Sequence, residues 1–156
     1  ILVSRSTVDG PGSRGLMPAL VAVAPAVDAE FVLVRPERTG ALPDNVRAVD
    51  RVPLSDVLPG CAGIVHHGGA GTVLAALAAG VPQLVTPGSG DRTLNARLVA
   101  ERGAGLAVPA KSITAADLTR LVTDDTLAAT ATEVGAEMAA MPEPGDLVAR
   151  LESLRG

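Results

Sequence analysis

Gly63-Ile64-Val65-His66-His67-Gly68-Gly69-Ala70-Gly71-Thr72 runs without a break into Val73-Leu74-Ala75-Ala76-Leu77-Ala78-Ala79-Gly80-Val81-Pro82. The apolar, β-branched start reads as a buried strand, the clustered glycines as a tight turn, and the Ala/Leu-rich continuation as a helix stopped by Gly80 and Pro82. Thr72 is placed to cap that helix. A helix N-terminus presents open N–H groups and the positive end of a dipole, so phosphate is the expected guest, with His67 as a donor beside it. The same turn would also serve close packing of strand on helix, and the letters leave that reading open. Neighbours on an extended strand point to opposite sides, so His67 is assigned to the ligand and His66 to the structure.

Working outward, short apolar runs alternate with longer Ala/Leu-rich segments along all 156 residues. Strands are expected at 1–4, 30–35, 46–49, 63–66, 83–86 and 105–108. Helices are expected at 13–24, 54–58, 71–79, 93–102 and 114–123, with terminal helices at 126–141 and 144–154. This pattern predicts a single α/β domain: a Rossmann-like three-layer α/β/α fold around a six-stranded, mostly parallel sheet. In such sheets ligands bind beyond the carboxyl ends of the strands, which points to the loops beginning at Ser4, Arg35, Asp50, His66, Pro87 and Pro109.

Composition narrows the function. Phe31 is the only aromatic residue, so modules that stack bases, sugars or peptides on aromatic platforms are disfavoured. A net charge of −4 argues against general nucleic-acid binding and confines any phosphate site to a local feature. All but one of the 13 basic residues are arginine, Lys111 being the exception, which reads as codon bias rather than as a functional signal. Cys61, the only cysteine, is assigned a structural role at the small-residue start of a strand. The apolar stretches are short and broken by Pro or Gly, so no membrane partner and a cytoplasmic location are expected.

Several phosphate-loop chemistries can be checked against the letters. A Walker loop needs a Gly-Lys pair, and Lys111 lies far from the turn. A dinucleotide fingerprint starting at Gly69-Ala70-Gly71 has Leu74 at its third glycine position; Asp91 stands at the spacing of a ribose ligand, which keeps a nicotinamide enzyme as a minor alternative. No Gly-x-Ser-x-Gly elbow occurs. Adjacent His66 and His67 do not converge on one metal, and no third ligand is evident.

Five blocks in order carry a resemblance over residues 50–109. They are Val52-Pro53-Leu54 with Leu58-Pro59, His66 to Thr72, Ala79-Gly80-Val81-Pro82-Gln83, Gly90-Asp91 with Asn95-Ala96, and Gly103-Ala104-Gly105. This stretch resembles the donor-binding C-terminal domain of GT-B family 1 glycosyltransferases, in particular the bacterial enzymes that attach deoxysugars to antibiotic aglycones. The resemblance implies diphosphate binding by His67, Gly68, Gly69, Gly71 and Thr72, with Thr7 as a further contact. It implies base binding by Arg51 and Val52 and sugar binding by Asp91 and Arg92. It implies no catalytic residue in this chain beyond leaving-group stabilisation by His67, no cofactor and no metal.

Departures from the family pattern are informative. Where plant-type relatives stack Trp on the base, this chain has Arg51, which could stack its guanidinium or lie in solvent. The family's ribose-gripping Glu aligns with Ala75, which fits a 2′-deoxyribose, since a buried carboxylate left unpaired would be costly; a dTDP-sugar donor follows. The Asp-Gln sugar pair appears as Asp91-Arg92, and Arg only donates hydrogen bonds, so Arg92 either meets an altered sugar or faces solvent. The acceptor domain, with its catalytic base, has no counterpart here. The chain opens inside a strand and is expected to be the C-terminal half of a longer enzyme, binding donor but not turning over alone, with the aglycone held by the other half. A stand-alone nucleotide-binding module and half of a nucleotide-sugar epimerase are the alternatives.

Overall fold

The computed structural model describes residues 1–5, 15–36, 40–143 and 145–154. Six strands, β1 (Leu2–Ser4), β2 (Phe31–Val34), β3 (Val46–Val49), β4 (Ile64–His66), β5 (Gln83–Val85) and β6 (Gly105–Ala107), form one sheet in the order β3-β2-β1-β4-β5-β6. Every pairing is parallel, so the sheet is wholly rather than mostly so. The central strands β1, β2, β4 and β5 are short, mainly aliphatic runs buried on both faces, while the edge strands β3 and β6 are partly exposed.

Alternation along the strands sorts the core into layers. Val3, Leu33, Val65 and Leu84 face one side, where Leu16 and Leu20 of α1 (Leu16–Val23) meet Leu118 and Leu121 of α5 (Ala115–Thr123) around Phe31. Leu2, Val34 and Ile64 face the other side, against Leu58 and Ala76. Helices α2 (Leu54–Val57), α3 (Ala70–Ala78) and α4 (Arg92–Arg102) cover that face. A fourth cluster, Ala104, Ala131 and Val134 with Leu77, joins α6 (Asp125–Ala139) to α3. A short α7 (Asp146–Ser153) follows.

Local signals explain the helix starts. Thr114 and Asp117 form a reciprocal capping box at α5, and the Asp124 carboxylate accepts from the N–H groups of Thr126 and Leu127 at α6. Cys61, expected at the head of a strand, instead follows the 3-10 turn Leu58–Gly60, and its thiol donates to the Val57 carbonyl at 3.2 Å. Burial raises its pKa, which suits a structural role.

The strand order reverses between β1 and β4, the switch point at which open α/β sheets form a crevice. Close packing is unforgiving at Gly105, the first residue of the edge strand β6, where an added Cβ would lie 2.0 Å from the Gln83 carbonyl oxygen. Gly105→Ala is expected to destabilise the fold by about 3 kcal/mol or more in urea unfolding. Gly60→Ala, with nothing within 4 Å of the new methyl, should leave the midpoint almost unchanged.

Candidate functional site

The turn that leaves β4 is organised by a histidine with no exposure at all. His66 Nδ1 accepts the Gly68 backbone N–H at 3.1 Å, so the ring proton sits on Nε2 and is donated to Gln83 Oε1 at 2.8 Å. The Gln83 amide in turn donates to the Val73 carbonyl at 3.4 Å. Strand β4, strand β5 and helix α3 are thereby joined through a satisfied buried polar chain. Burial lowers the His66 pKa to about 4, against the opposing pull of the Gln83 hydrogen bond, so the ring is neutral at physiological pH.

This arrangement gives Gly68 a different task from the one its motif suggests. Its N–H is committed to His66, its carbonyl accepts from Asn95 Nδ2 at 2.8 Å, and it does not line the cleft. A φ of +83° together with contacts a Cβ would make to Val85 Cγ1 at 2.9 Å and the Arg92 carbonyl at 3.1 Å explains the glycine.

Beyond it, His67 folds back over Gly69, where any Cβ would lie 2.6 Å from Nε2. The His67 ring is half-buried, and its Nδ1 is fully buried with no hydrogen-bond partner among the described residues. Burial and the Arg92 guanidinium lower its pKa, while Asp91 and the Ser4 carbonyl oppose them, so this imidazole too is held neutral.

Helix α3 begins one residue earlier than its letters suggest. Gly69 takes the extended cap conformation, and Thr72 is the third helical residue, its N–H and that of Val73 both donating to the Gly69 carbonyl at 3.0 Å. Thr72 therefore does not cap the helix, because a cap must precede the first turn and glycine holds that place without a side-chain bond. The N–H groups of Ala70 and Gly71 find no acceptor among the described residues. Together with the dipole of a nine-residue helix they form an open anion seat.

A cleft of about 400 Å³ spans the switch point and gathers most of the expected residues: Arg51, Val52, His67, Gly69, Gly71 and Thr72. Asp91 and Arg92 do not line it. They start α4 beside it, near enough to act electrostatically on His67, with Asp91 Oδ2 accepting from Asn95 Nδ2 at 3.3 Å. Arg92 is half-buried and lays its aliphatic stem across Gly88. Thr7 lies outside the described residues.

Two charged residues of the cleft escaped the sequence reading, Arg5 and Arg35, each the first residue beyond the carboxyl end of its strand. The composition-level reading of the arginines as codon bias was too coarse: three of them converge on one cleft. The signal available was position, since the loops after β1 and β2 were already marked. Among the described residues, no group of three or more His, Cys, Asp or Glu is placed to hold a metal ion, and no helix is long and apolar enough to cross a membrane.

A family model described as erythromycin biosynthesis protein CIII-like, C-terminal domain, matches residues 18–154. The chain belongs to this family. Its Rossmann-like sheet is half of a GT-B fold, as its solved relatives show. It is 47% identical to elloramycin glycosyltransferase ElmGT of Streptomyces olivaceus over 100% of this chain and 42% of that protein. The solved glycosyltransferase SnogD from Streptomyces nogalater superposes with a TM-score of 0.81 at 38% identity, covering 99% of this chain and 42% of its own. The glycosyltransferase VinC, solved in complex with dTDP, superposes at 0.82 with 34% identity over 99% of this chain and 41% of its own. The chain thus spans less than half the length of the relatives it matches.

The buried His66 makes stability depend on pH. The unfolded chain takes up this proton near pH 6.5 and the folded chain only near pH 4, so stability is full above pH 6.5 and drains as the pH falls through that window. The loss expected from His66 is about 3 kcal/mol, with His67 acting in the same direction. Urea midpoints measured across the window should fall steadily for the parent chain and more shallowly for His66→Gln.

Proposed function

We propose that this chain is the donor-binding domain of a glycosyltransferase that transfers a deoxysugar from a dTDP-sugar to a hydroxyl of a natural-product aglycone. The acceptor and the base that deprotonates it belong to a preceding domain. The observation that carries the reading is the anion seat on α3: open N–H groups at Ala70 and Gly71, with the half-buried His67 ring and three arginine residues lining the same cleft.

Such a cleft suits the chemistry of sugar transfer. As the acceptor oxygen attacks the anomeric carbon, the bond to the diphosphate oxygen breaks and negative charge accumulates on the departing nucleotide. Preorganised donors aimed at that charge lower the barrier, because they are already oriented when it develops. The helix dipole and the arginines supply the positive field and the neutral His67 a hydrogen-bond donor, so the reaction calls for no metal or other cofactor.

The remaining positions follow the shape of a nucleotide laid across the strand ends. Arg51 stacks on the base and Val52 meets its edge through the backbone, both from the β3–α2 loop that lines the cleft. Asp91 and Arg92, beyond His67, meet the sugar. Half-buried Ala75 packs in the apolar cluster under α3, so the ribose finds no carboxylate at that position. VinC, a relative of the same fold, was solved with dTDP, which supports the assignment of the donor nucleotide.

Calorimetry on the full-length protein is expected to show tighter binding of dTDP than of UDP, and a clear preference for UDP would refute the deoxynucleotide assignment. In the same protein His67→Ala should cost on the order of 2–4 kcal/mol in transition-state stabilisation, read from kcat/KM. Full turnover in that variant would remove His67 from the leaving-group site.

A further inference from the structure

Among the described residues, Arg35 is the only non-glycine residue with positive φ, at +52°. That conformation is disfavoured for a residue with a side chain and persists only where its surroundings impose it. Here they do so from both sides: the Arg35 N–H donates to the Val49 carbonyl at 2.8 Å, and its carbonyl accepts from Arg5 Nε at 2.8 Å. The turn places Arg35 on the lining of the cleft that holds His67 and the start of α3.

The cleft's charge is one-sided. Its described lining includes Arg5, Arg35 and Arg51 and no acidic residue, in a chain whose net charge is −4, while Arg5 and Arg35 also border the neighbouring cavity that holds Asp50. The Arg35 guanidinium makes no hydrogen bond or ion pair among the described residues, unlike the surface residue Arg47, which pairs with Glu30 at 3.4 Å. Like charges gathered in one cleft repel, and a bound polyanion converts that repulsion into attraction. A guanidinium only donates, and its planar fork matches phosphate oxygens.

We propose that Arg35 is a diphosphate-binding residue, held in a left-handed turn at the end of β2 so that its guanidinium closes over the phosphates seated on α3. This rests on the nucleotide-binding reading above. The strained backbone offers a discriminating variant, because Arg35→Gly removes the guanidinium while placing at φ +52° the residue that adopts it most easily.

In the full-length protein, calorimetry with dTDP is expected to show at least a tenfold loss of affinity for Arg35→Gly. Its unfolding midpoint should be equal to or higher than that of the parent. Arg35→Lys, which keeps the charge but loses the fork, should fall between, and Arg47→Ala, which changes the net charge equally, should bind as the parent does. Thymidine, which has base and sugar but no phosphate, should bind the parent and Arg35→Gly alike. dTDP affinity within twofold of the parent in Arg35→Gly would overturn the proposal, as would an equal loss for thymidine, which would place Arg35 on the nucleoside. A parent protein that binds no nucleoside diphosphate would overturn the nucleotide reading itself and this proposal with it.

Discussion

One buried hydrogen-bond chain holds the site together: Gly68 N–H to His66 Nδ1, His66 Nε2–H to Gln83 Oε1, and the Gln83 amide to the Val73 carbonyl. It fixes the turn after β4 by giving the Gly68 N–H a partner inside the protein, and it ties the first turn of α3 to the neighbouring strand β5. A buried polar group left unpaired costs more than the bond contributes when made, so each link enforces the next. The neutral imidazole is essential to this role, since a protonated Nδ1 could no longer accept. The cleft's exposed chemistry at His67 and α3 therefore rests on a residue that never touches solvent.

The two adjacent histidines show how position on a strand divides labour. His66 is inside the sheet and saturated with hydrogen bonds; His67, one residue later, escapes the sheet and is left with a buried nitrogen unmatched. Burial lowers both pKa values, yet only His67 meets the cleft. The glycines around them serve distinct ends: positive φ at Gly68, and room for the imidazole at Gly69. Neither supplies a side chain, and both decide where a side chain goes.

Positive charge in the cleft has two sources with different reach. The open N–H groups at the start of α3 act within the first turn of the helix. The arginines come from three separate strand ends and surround the same space, so their fields add where phosphate would sit. An acidic chain can in this way keep a local site for a polyanion without binding polyanions at large.

Much of this was legible in the letters. All six strands and the helices between them follow from hydrophobic runs and turn residues, because a parallel sheet buried on both faces writes itself as uninterrupted apolar segments. The Gly-rich turn and His67 were readable because a phosphate seat needs those residue types at close sequence spacing, whereas Arg51 and Val52 were marked only by the family resemblance. Three things were decided only by the tertiary structure: the hydrogen bonds of His66, the start of α3 at Ala70 rather than Gly71, and the convergence of Arg5, Arg35 and Arg51. The reason is distance along the chain. Gln83 meets His66 across a strand pair, and three arginines meet only because the sheet places the ends of β1, β2 and β3 side by side, an adjacency that no local pattern of residues encodes.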